Sequence, residues 1–207
     1  MDLINILSYA YTIIFFLPSL LIGFTVHEFS HAWAATKLGD YTAKSQGRLT
    51  LNPLAHIDPL GLISFIFVQI GWGKPVPINE YNFENPVLGT ALVSVAGPGS
   101  NLLLALIGSI IFRVVPENYL ALDFFKLFIE QFVIVNIALA IFNLLPIPPL
   151  DGYRIVRLFI PDSLRGMWES LERFSPIIFL LLIISSGGII FDTVSSILRF
   201  ITDFLLY

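Results

Sequence analysis

The sequence predicts an all-α protein that crosses a membrane several times. We expect a core of three long helices, a small membrane-associated β element, and one or two C-terminal helices. Of its 207 residues, 56% are hydrophobic and only 13% are charged, whereas soluble domains carry about 25% charged residues. Three apolar segments reach the roughly 20 residues that a helix needs to span a bilayer. The lipid bilayer is therefore the expected solvent for most of the chain.

Composition also excludes several classes of protein. A net charge of -4 argues against a nucleic-acid partner, and the absence of cysteine excludes disulfides and thiolate metal sites. The length favours a single domain over residues 1–207, with its core at about 1–155. Because no basic residue precedes the first apolar run, we expect no separable signal peptide.

The three predicted spans are Leu3–Ala35, Pro86–Val114 and Leu122–Leu145. The second contains Ala96–Asn101 (AGPGSN), whose small residues allow helices to approach closely. Between the first two spans, residues 42–82 combine turn signals with a short β-branched and aromatic run. We interpret this region as short strands and loop that dip into the membrane surface.

The C-terminal region, residues 170–207, is predicted to hold a fourth apolar stretch and a second short span or interfacial helix. The second of these is Ile189–Leu206. Its charged residues Asp192, Arg199 and Asp203 recur at spacings of seven and four. That spacing favours an amphipathic helix lying on the membrane interface.

Orientation follows from the distribution of Lys and Arg. The loops 36–85 and 150–173 lie on the same side because two spans separate them. Together they hold eight basic residues: Lys37, Lys44, Arg48, Lys74, Arg154, Arg157, Arg165 and Arg173. The positive-inside rule places that side in the cytoplasm.

The segment His27–His31 (HEFSH) carries the clearest chemical signal. Residues four apart lie on one face of a helix, so His27 and His31 can bind one zinc ion. Glu28 lies beside them and suits a general base acting on a zinc-bound water. The competing interpretation is a helix end with polar side chains that reach toward water.

A catalytic zinc needs a third protein ligand and an open position. His56, Asp58 and Asp151 are the candidates, and Asp151 is favoured. It follows the prolines that end the third span, on the side where the first span carries its histidines. Alternatively, Asp151 caps the helix that starts near Gly152.

These motifs together resemble the site-2 protease family of zinc intramembrane proteases, of the small prokaryotic type. The resemblance covers about residues 20–155 and rests on four segments in family order. They are His27–His31, Gly47–Pro59 (GRLTLNPLAHIDP), Ala96–Asn101 with Asn136, and Asn143–Gly152 (NLLPIPPLDG). It implies that Asp151 is the third zinc ligand. We expect no PDZ or CBS domain such as some members carry, and therefore no substrate sensing by such modules.

The expected function is therefore zinc-dependent cleavage of transmembrane protein substrates, with one Zn²⁺ per chain and the active site near the cytoplasmic side. His56 either binds substrate or orders its loop, and Asn143 either contacts substrate or joins helices. A strand edge within Leu62–Ile78 is expected to pair with the unwound substrate. The sequence is also compatible with a homo-oligomer or with a regulatory membrane partner. The alternatives are a catalytically silent membrane scaffold, a metal-binding protein and a metal transporter.

Overall fold

The structure, a computed structural model, describes residues 11–68, 71–116, 120–185 and 188–207. Within these ranges nearly all regular structure is helical. The three long helices are α1 (Leu17–Lys37), α4 (Pro86–Val114) and α5 (Leu120–Asn143). The shorter helices are α2 (Thr42–Ser45), α3 (Pro59–Val68), α6 (Asp151–Val156), α7 (Asp162–Arg173), α8 (Ser175–Ser185) and α9 (Ile189–Leu206).

The prediction of an all-α membrane protein is confirmed. Three segments are long and apolar enough to cross a membrane: Ile13–Lys37, Pro86–Val114 and Asp123–Asn143. The second coincides with the predicted span, and the third ends two residues earlier than predicted. The predicted start of the first span, at Leu3, lies outside the described residues. Pro18 stands in the first turn of α1, where proline needs no amide partner.

The predicted β element is wrong. Within the described part of 42–82, the backbone forms α2, α3 and short 3₁₀ turns, and the strand-like pairing is limited to one bridge between Ile57 and Gly73. Asp58 Oδ1 accepts hydrogen bonds from Leu60 N (2.8 Å) and Gly61 N (3.0 Å), which caps a helix that begins at Pro59. A short apolar run does not distinguish strand from helix, and the Asp-Pro pair was the helix-start signal.

The expected pairing of the substrate with a strand edge depended on that β element and is therefore not supported. Residues 62–68 of the expected edge belong to α3, and a helix satisfies its own backbone groups, so they offer no row of free amides for pairing. Residues 69–70 lie outside the described part of the chain, and residues 71–78 form no strand beyond the single bridge at Gly73.

The three long helices pack against one another in pairs, α6 packs against α4, and α9 packs mainly against α5. Val133 and Ile137 of α5 lie in a buried apolar cluster with Ala105 of α4 and Leu206 of α9. At the far end of α4, Arg113 donates to the carbonyl oxygens of Phe204 and Leu205 (both 3.0 Å), the last turn of α9. The C-terminal helix is thus attached to the three-helix core by packing and by hydrogen bonds.

Two fully buried amides connect the three long helices. Asn101 Nδ2 in α4 donates to Gly23 O in α1 (3.0 Å) and to Asn136 Oδ1 in α5 (2.9 Å). Asn136 Nδ2 in turn donates to Phe132 O (2.8 Å). Buried amides require partners, and in apolar surroundings such bonds fix how helices meet.

Asp40 attaches the end of α1 to the segment that leads into α4. This fully buried carboxylate accepts hydrogen bonds from Thr42 N (3.0 Å), Asn79 N (2.8 Å) and Asn82 Nδ2 (2.8 Å). Burial raises the pKa of Asp40, but the hydrogen bonds from Thr42, Asn79 and Asn82 outweigh it and hold the pKa below its ordinary value.

We expect Asp40→Ala to destabilise the protein by about 2 kcal/mol, because the donors of Thr42, Asn79 and Asn82 lose a charged acceptor. The folded-state pKa is depressed, so the carboxylate contributes stability above its unfolded pKa of about 3.9. That contribution disappears as pH falls through the folded-state pKa. Thermal unfolding in detergent at several pH values measures both effects. The exposed Glu84→Ala is the control and should change stability by less than about 0.5 kcal/mol; equal effects of the two substitutions would contradict the prediction.

Candidate active site

The histidines of the predicted motif lie on one face of α1, His27 at its midpoint and His31 one turn further along. His27 and His31 are one turn apart and only 4% and 6% exposed, and Glu28 is 8% exposed. Their ligand atoms all lie within 4.8 Å of one another, which is close enough for a shared ion. Three buried titratable groups within an apolar helix are costly unless they are satisfied by partners or by a metal.

Asp151 joins the two histidines from α6. The Nε2 atoms of His27 and His31 are 2.9 Å apart, and each lies 3.2 Å from Asp151 Oδ2. Asp151 is the first residue of α6, directly after the proline-rich turn that follows α5. A side chain at Gly152 would place its Cβ 2.2 Å from Leu144 O. Glycine therefore allows α6 to start against the end of α5, which brings Asp151 to the histidines.

The outer nitrogen of each imidazole faces a hydrogen-bond acceptor. His31 Nδ1 lies 2.7 Å from Val93 O, and His27 Nδ1 lies 2.6 Å from Asn101 Oδ1. The amide nitrogen of Asn101 donates to two other acceptors, so its oxygen is the atom that faces His27. Both Nδ1 atoms must therefore carry the proton. In the neutral rings, both Nε2 atoms are then unprotonated and point at each other.

This donor set fits a metal ion. Two imidazole lone pairs and a carboxylate oxygen repel one another at these distances unless a cation lies among them. A proton bridges only two of the three atoms, whereas a metal ion binds all three. In a tetrahedral zinc site, ligand atoms are about 3.3 Å apart, close to the separations found here. Nδ1 donors bound to carbonyl oxygens are also the usual outer contacts of zinc-binding histidines.

The ionisation of Asp151 suits a ligand role. Burial raises the pKa of this carboxyl, but the hydrogen bonds and positive charge that His27 and His31 supply when their Nε2 atoms are protonated outweigh it. The pKa of Asp151 consequently lies well below its usual range. The group is a carboxylate at neutral pH.

Gly97 provides the space in which the two histidines meet. A Cβ at this position would lie 2.5 Å from His31 Nε2 and 2.6 Å from His27 Nε2. Real Cβ atoms do not approach that closely, so any larger residue would displace the ligand nitrogens. Gly97 was predicted only as part of a small-residue helix contact, and its position beside the ligand atoms is new.

Glu28 faces a cavity of about 260 Å³ that also contains His27, His31 and Asp151. Its Oε2 accepts a hydrogen bond from Val76 N (3.1 Å). The segment Pro75–Val76 forms part of the wall, so residues from between α3 and α4 cover the site. Sequence reasoning did not identify Val76, since nothing in a single apolar residue indicates an amide bonded to a distant carboxylate.

The remaining predicted site residues lie in different parts of the structure. Asn143 lines the same cavity, while its Nδ2 donates to Leu139 O (2.9 Å). His56 is fully buried and is not among the residues of that cavity. Its Nε2 contacts Thr50 O (2.9 Å), and its carbonyl accepts from Lys74 N (2.8 Å). Asp58 caps α3, as described above.

Arg154 also lines this cavity, although it was not among the predicted site residues. It lies one turn after Asp151 on α6, and its Nη2 donates to Glu172 Oε1 of α7 (3.1 Å). Its spacing of three residues from Asp151 is the signal that was available, because side chains three apart share a helix face.

Known proteins of similar sequence decide the family. Residues 111–186 match peptidase family M50. Over 177 residues the chain is 43% identical to "Putative zinc metalloprotease YwhC" of Bacillus subtilis, which covers 82% of this chain and 80% of the relative. The chain belongs to peptidase family M50, the site-2 proteases. It is therefore a membrane metalloprotease, and the family implies zinc.

Two mycobacterial relatives of this site-2 protease are longer. "Putative zinc metalloprotease Rip2" of Mycolicibacterium smegmatis is 32% identical over 171 residues, 80% of this chain and 65% of the relative. The protein of the same name in Mycobacterium tuberculosis is 28% identical over 184 residues, 86% of this chain and 70% of the relative. No solved structure matches the chain.

We expect Gly97→Ala to abolish zinc binding, because the added methyl group would occupy the place where the two Nε2 atoms converge. Zinc per chain, measured by mass spectrometry on purified protein, tests this. Gly99→Ala is a matched control in the same helix, since its Cβ would meet no atom within 4 Å. The prediction fails if both variants retain full zinc.

We expect Asn101→Ala to weaken zinc affinity by about 10- to 100-fold, because His27 loses the acceptor that fixes its ring and tautomer. Competition with a chelator of known affinity measures the change. Ser100→Ala, which removes a hydroxyl bonded only to Gly97 O within α4, should leave affinity unchanged. Unaltered affinity in the Asn101 variant would show that packing alone orients His27.

Proposed function

We propose that this protein is a zinc-dependent intramembrane endopeptidase that hydrolyses peptide bonds in or near transmembrane segments of membrane-protein substrates, as in regulated intramembrane proteolysis. One observation carries the proposal. Two imidazole nitrogens and a carboxylate oxygen converge within 3.2 Å of one another in the C-terminal half of a segment apolar enough to span a membrane, beside the Glu28 carboxylate.

In this proposal His27, His31 and Asp151 hold one zinc ion per chain. The bound ion would polarise the scissile carbonyl and lower the pKa of a water molecule. Asn101 and the carbonyl of Val93 orient the two imidazoles. Because both outer partners are acceptors, each ring keeps its inner nitrogen unprotonated for the metal.

Glu28 is the proposed general base. Its carboxylate takes a proton from the attacking water as the new C–O bond forms, and then passes that proton to the amide nitrogen, so that the C–N bond breaks and the amine departs. Val76 N donates to Oε2 and leaves Oε1 to face the cavity. Asn143, in the same cavity, is positioned to bind a substrate carbonyl.

The geometry favours an ordering role for His56. It contacts Thr50 and Lys74 away from the cavity, and Arg48 Nη2 lies 3.4 Å from its Nδ1. We therefore propose that His56 holds the segment after α3 rather than the substrate. Asp151 lies at the polar end of the spans, on the side that the distribution of Lys and Arg assigns to the cytoplasm. We further propose that residues 1–207 act as one membrane protease domain, with its core at about 1–155.

We expect Glu28→Gln to retain zinc while cleavage falls by at least about a hundredfold, because the base is lost and the ligands remain. The test uses purified wild type and variant with a model transmembrane substrate in lipid vesicles, together with a zinc assay. Glu84→Gln, an exposed carboxylate outside the cavity, is the control and should cleave like wild type. Equal cleavage by wild type and Glu28→Gln would end the proposed mechanism.

A further inference from the structure

A second, larger cavity adjoins the catalytic one. Its volume is about 480 Å³, within the range of ligand-binding cavities. The two cavities share Ile78 and Arg154 as wall residues, so they meet at these side chains. The larger cavity contains none of the proposed zinc ligands and has no role in the chemistry described above.

Charged and other polar side chains line much of this cavity, and all of its wall residues except Thr90 of α4 lie outside the three spans. Arg157 pairs with Glu80 and with Glu169 (both 2.5 Å), and Arg154 pairs with Glu172 (3.1 Å). These ion pairs connect α6, α7 and the turn before α4. Paired charges of both signs suit a hydrated polypeptide and exclude an apolar membrane segment.

Helix α7 covers the cavity without being packed into the protein. None of its residues, Asp162–Arg173, is buried. Besides the ion pairs, it is held by Trp168, whose ring stacks on Tyr153 (centroids 4.2 Å apart) and whose carbonyl accepts from the Tyr153 hydroxyl. Because α7 is attached by so few contacts, we expect an extended chain to reach the cavity beneath it.

Arg154 stands where the two cavities meet. Its side chain is 36% exposed, and among the described residues its guanidinium bonds only Glu172, through Nη2. Its other N–H groups are available to acceptors, and peptide carbonyls are the acceptors that a substrate backbone supplies. A cationic donor bound to a carbonyl makes a stronger hydrogen bond than a neutral one.

We propose that the larger cavity binds the polar segment that flanks the scissile site of the substrate, and that Arg154 holds the substrate backbone where it passes from one cavity to the other. This inference rests on the proposed function. A substrate chain that leaves the membrane beside the catalytic site must continue into water, and this cavity with its charged side chains lies next to that site. Substrate recognition then depends on the flank as well as on the membrane segment.

The test compares two substrates with the same transmembrane segment, one with its polar flank and one with the flank truncated. We expect wild type to cleave the flanked substrate more efficiently, mainly through a lower KM, by about tenfold, as for a lost hydrogen bond to a charged group. Arg154→Ala should lose most of that preference, measured as the ratio of the two kcat/KM values within the same variant, so that any change common to both substrates cancels. Arg154→Lys should keep only part of the preference for the flanked substrate, since lysine keeps the positive charge but lacks the planar guanidinium group.

Arg165→Ala is the matched control. Arg165 has similar side-chain exposure (39%) and one acidic partner, Asp162, but it lines neither cavity. It should keep the full preference for the flanked substrate. A free synthetic flank peptide should also inhibit wild type competitively and Arg154→Ala more weakly.

The outcomes separate this inference from the proposed function. Equal cleavage of both substrates by wild type, or equal losses on both in Arg154→Ala, would overturn the inference while leaving the protease intact. Absence of any Glu28-dependent cleavage would instead overturn the proposed function.

Discussion

The site depends on the two hydrogen bonds at the outer sides of the imidazole rings. His27 donates to Asn101 and His31 donates to the carbonyl of Val93. Each bond fixes the tautomer of its ring, and together they aim two lone pairs at one point. In an apolar helix bundle, such lone pairs are costly unless a cation meets them. The same contacts that orient the rings therefore create the need for a metal.

One stripe of α4 supplies this environment. Val93, Gly97 and Asn101 are spaced by four residues and so lie on one face of the helix. Opposite them, His31 and His27 are also spaced by four on α1. Because His31 meets Val93 and His27 meets Asn101, the two helices run antiparallel, with Gly97 between the contacts. The acceptors of Val93 and Asn101 on α4 thus face the two donor histidines of α1, and Gly97 leaves space between the two contacts. A shift of one residue in either helix would break both hydrogen bonds.

Parts of this arrangement were predictable from the sequence for a physical reason. The span Pro86–Val114 was correct to the residue because turn residues bound a long apolar run. Asp151 was reached by comparing on which side of the membrane each helix ends, which requires no distances.

The contact of Gly97 with the ligand nitrogens could not be predicted, since a small residue in a membrane helix fits any close helix contact. The error over 59–68 arose because β-branched and aromatic residues were given more weight than the cap at Asp58. Val76 contacts Glu28 across 48 residues of sequence, a separation that periodicity does not report.

The orientation of the proposed base depends on residues far from the zinc-binding face of α1. Glu28 follows His27 directly and therefore points about 100° around the helix from it. There it meets Val76 rather than α4. The segment before Val76 is held by Arg48, which donates to the carbonyls of Lys74 and Pro75 (2.5 and 3.2 Å).

His56 is connected to Glu28 indirectly, through this same segment. Its carbonyl accepts from Lys74 N, and its ring lies beside Arg48, which is itself 4% exposed. A continuous series of hydrogen bonds thus leads from His56 through Arg48 and the backbone of 74–76 to Glu28. A side chain with no place in the catalytic cavity consequently bears on the direction of the carboxylate within it. The three-helix core positions the metal ligands, whereas the loop between α3 and α4 positions the base, so the two halves of the proposed chemistry depend on separate parts of the fold.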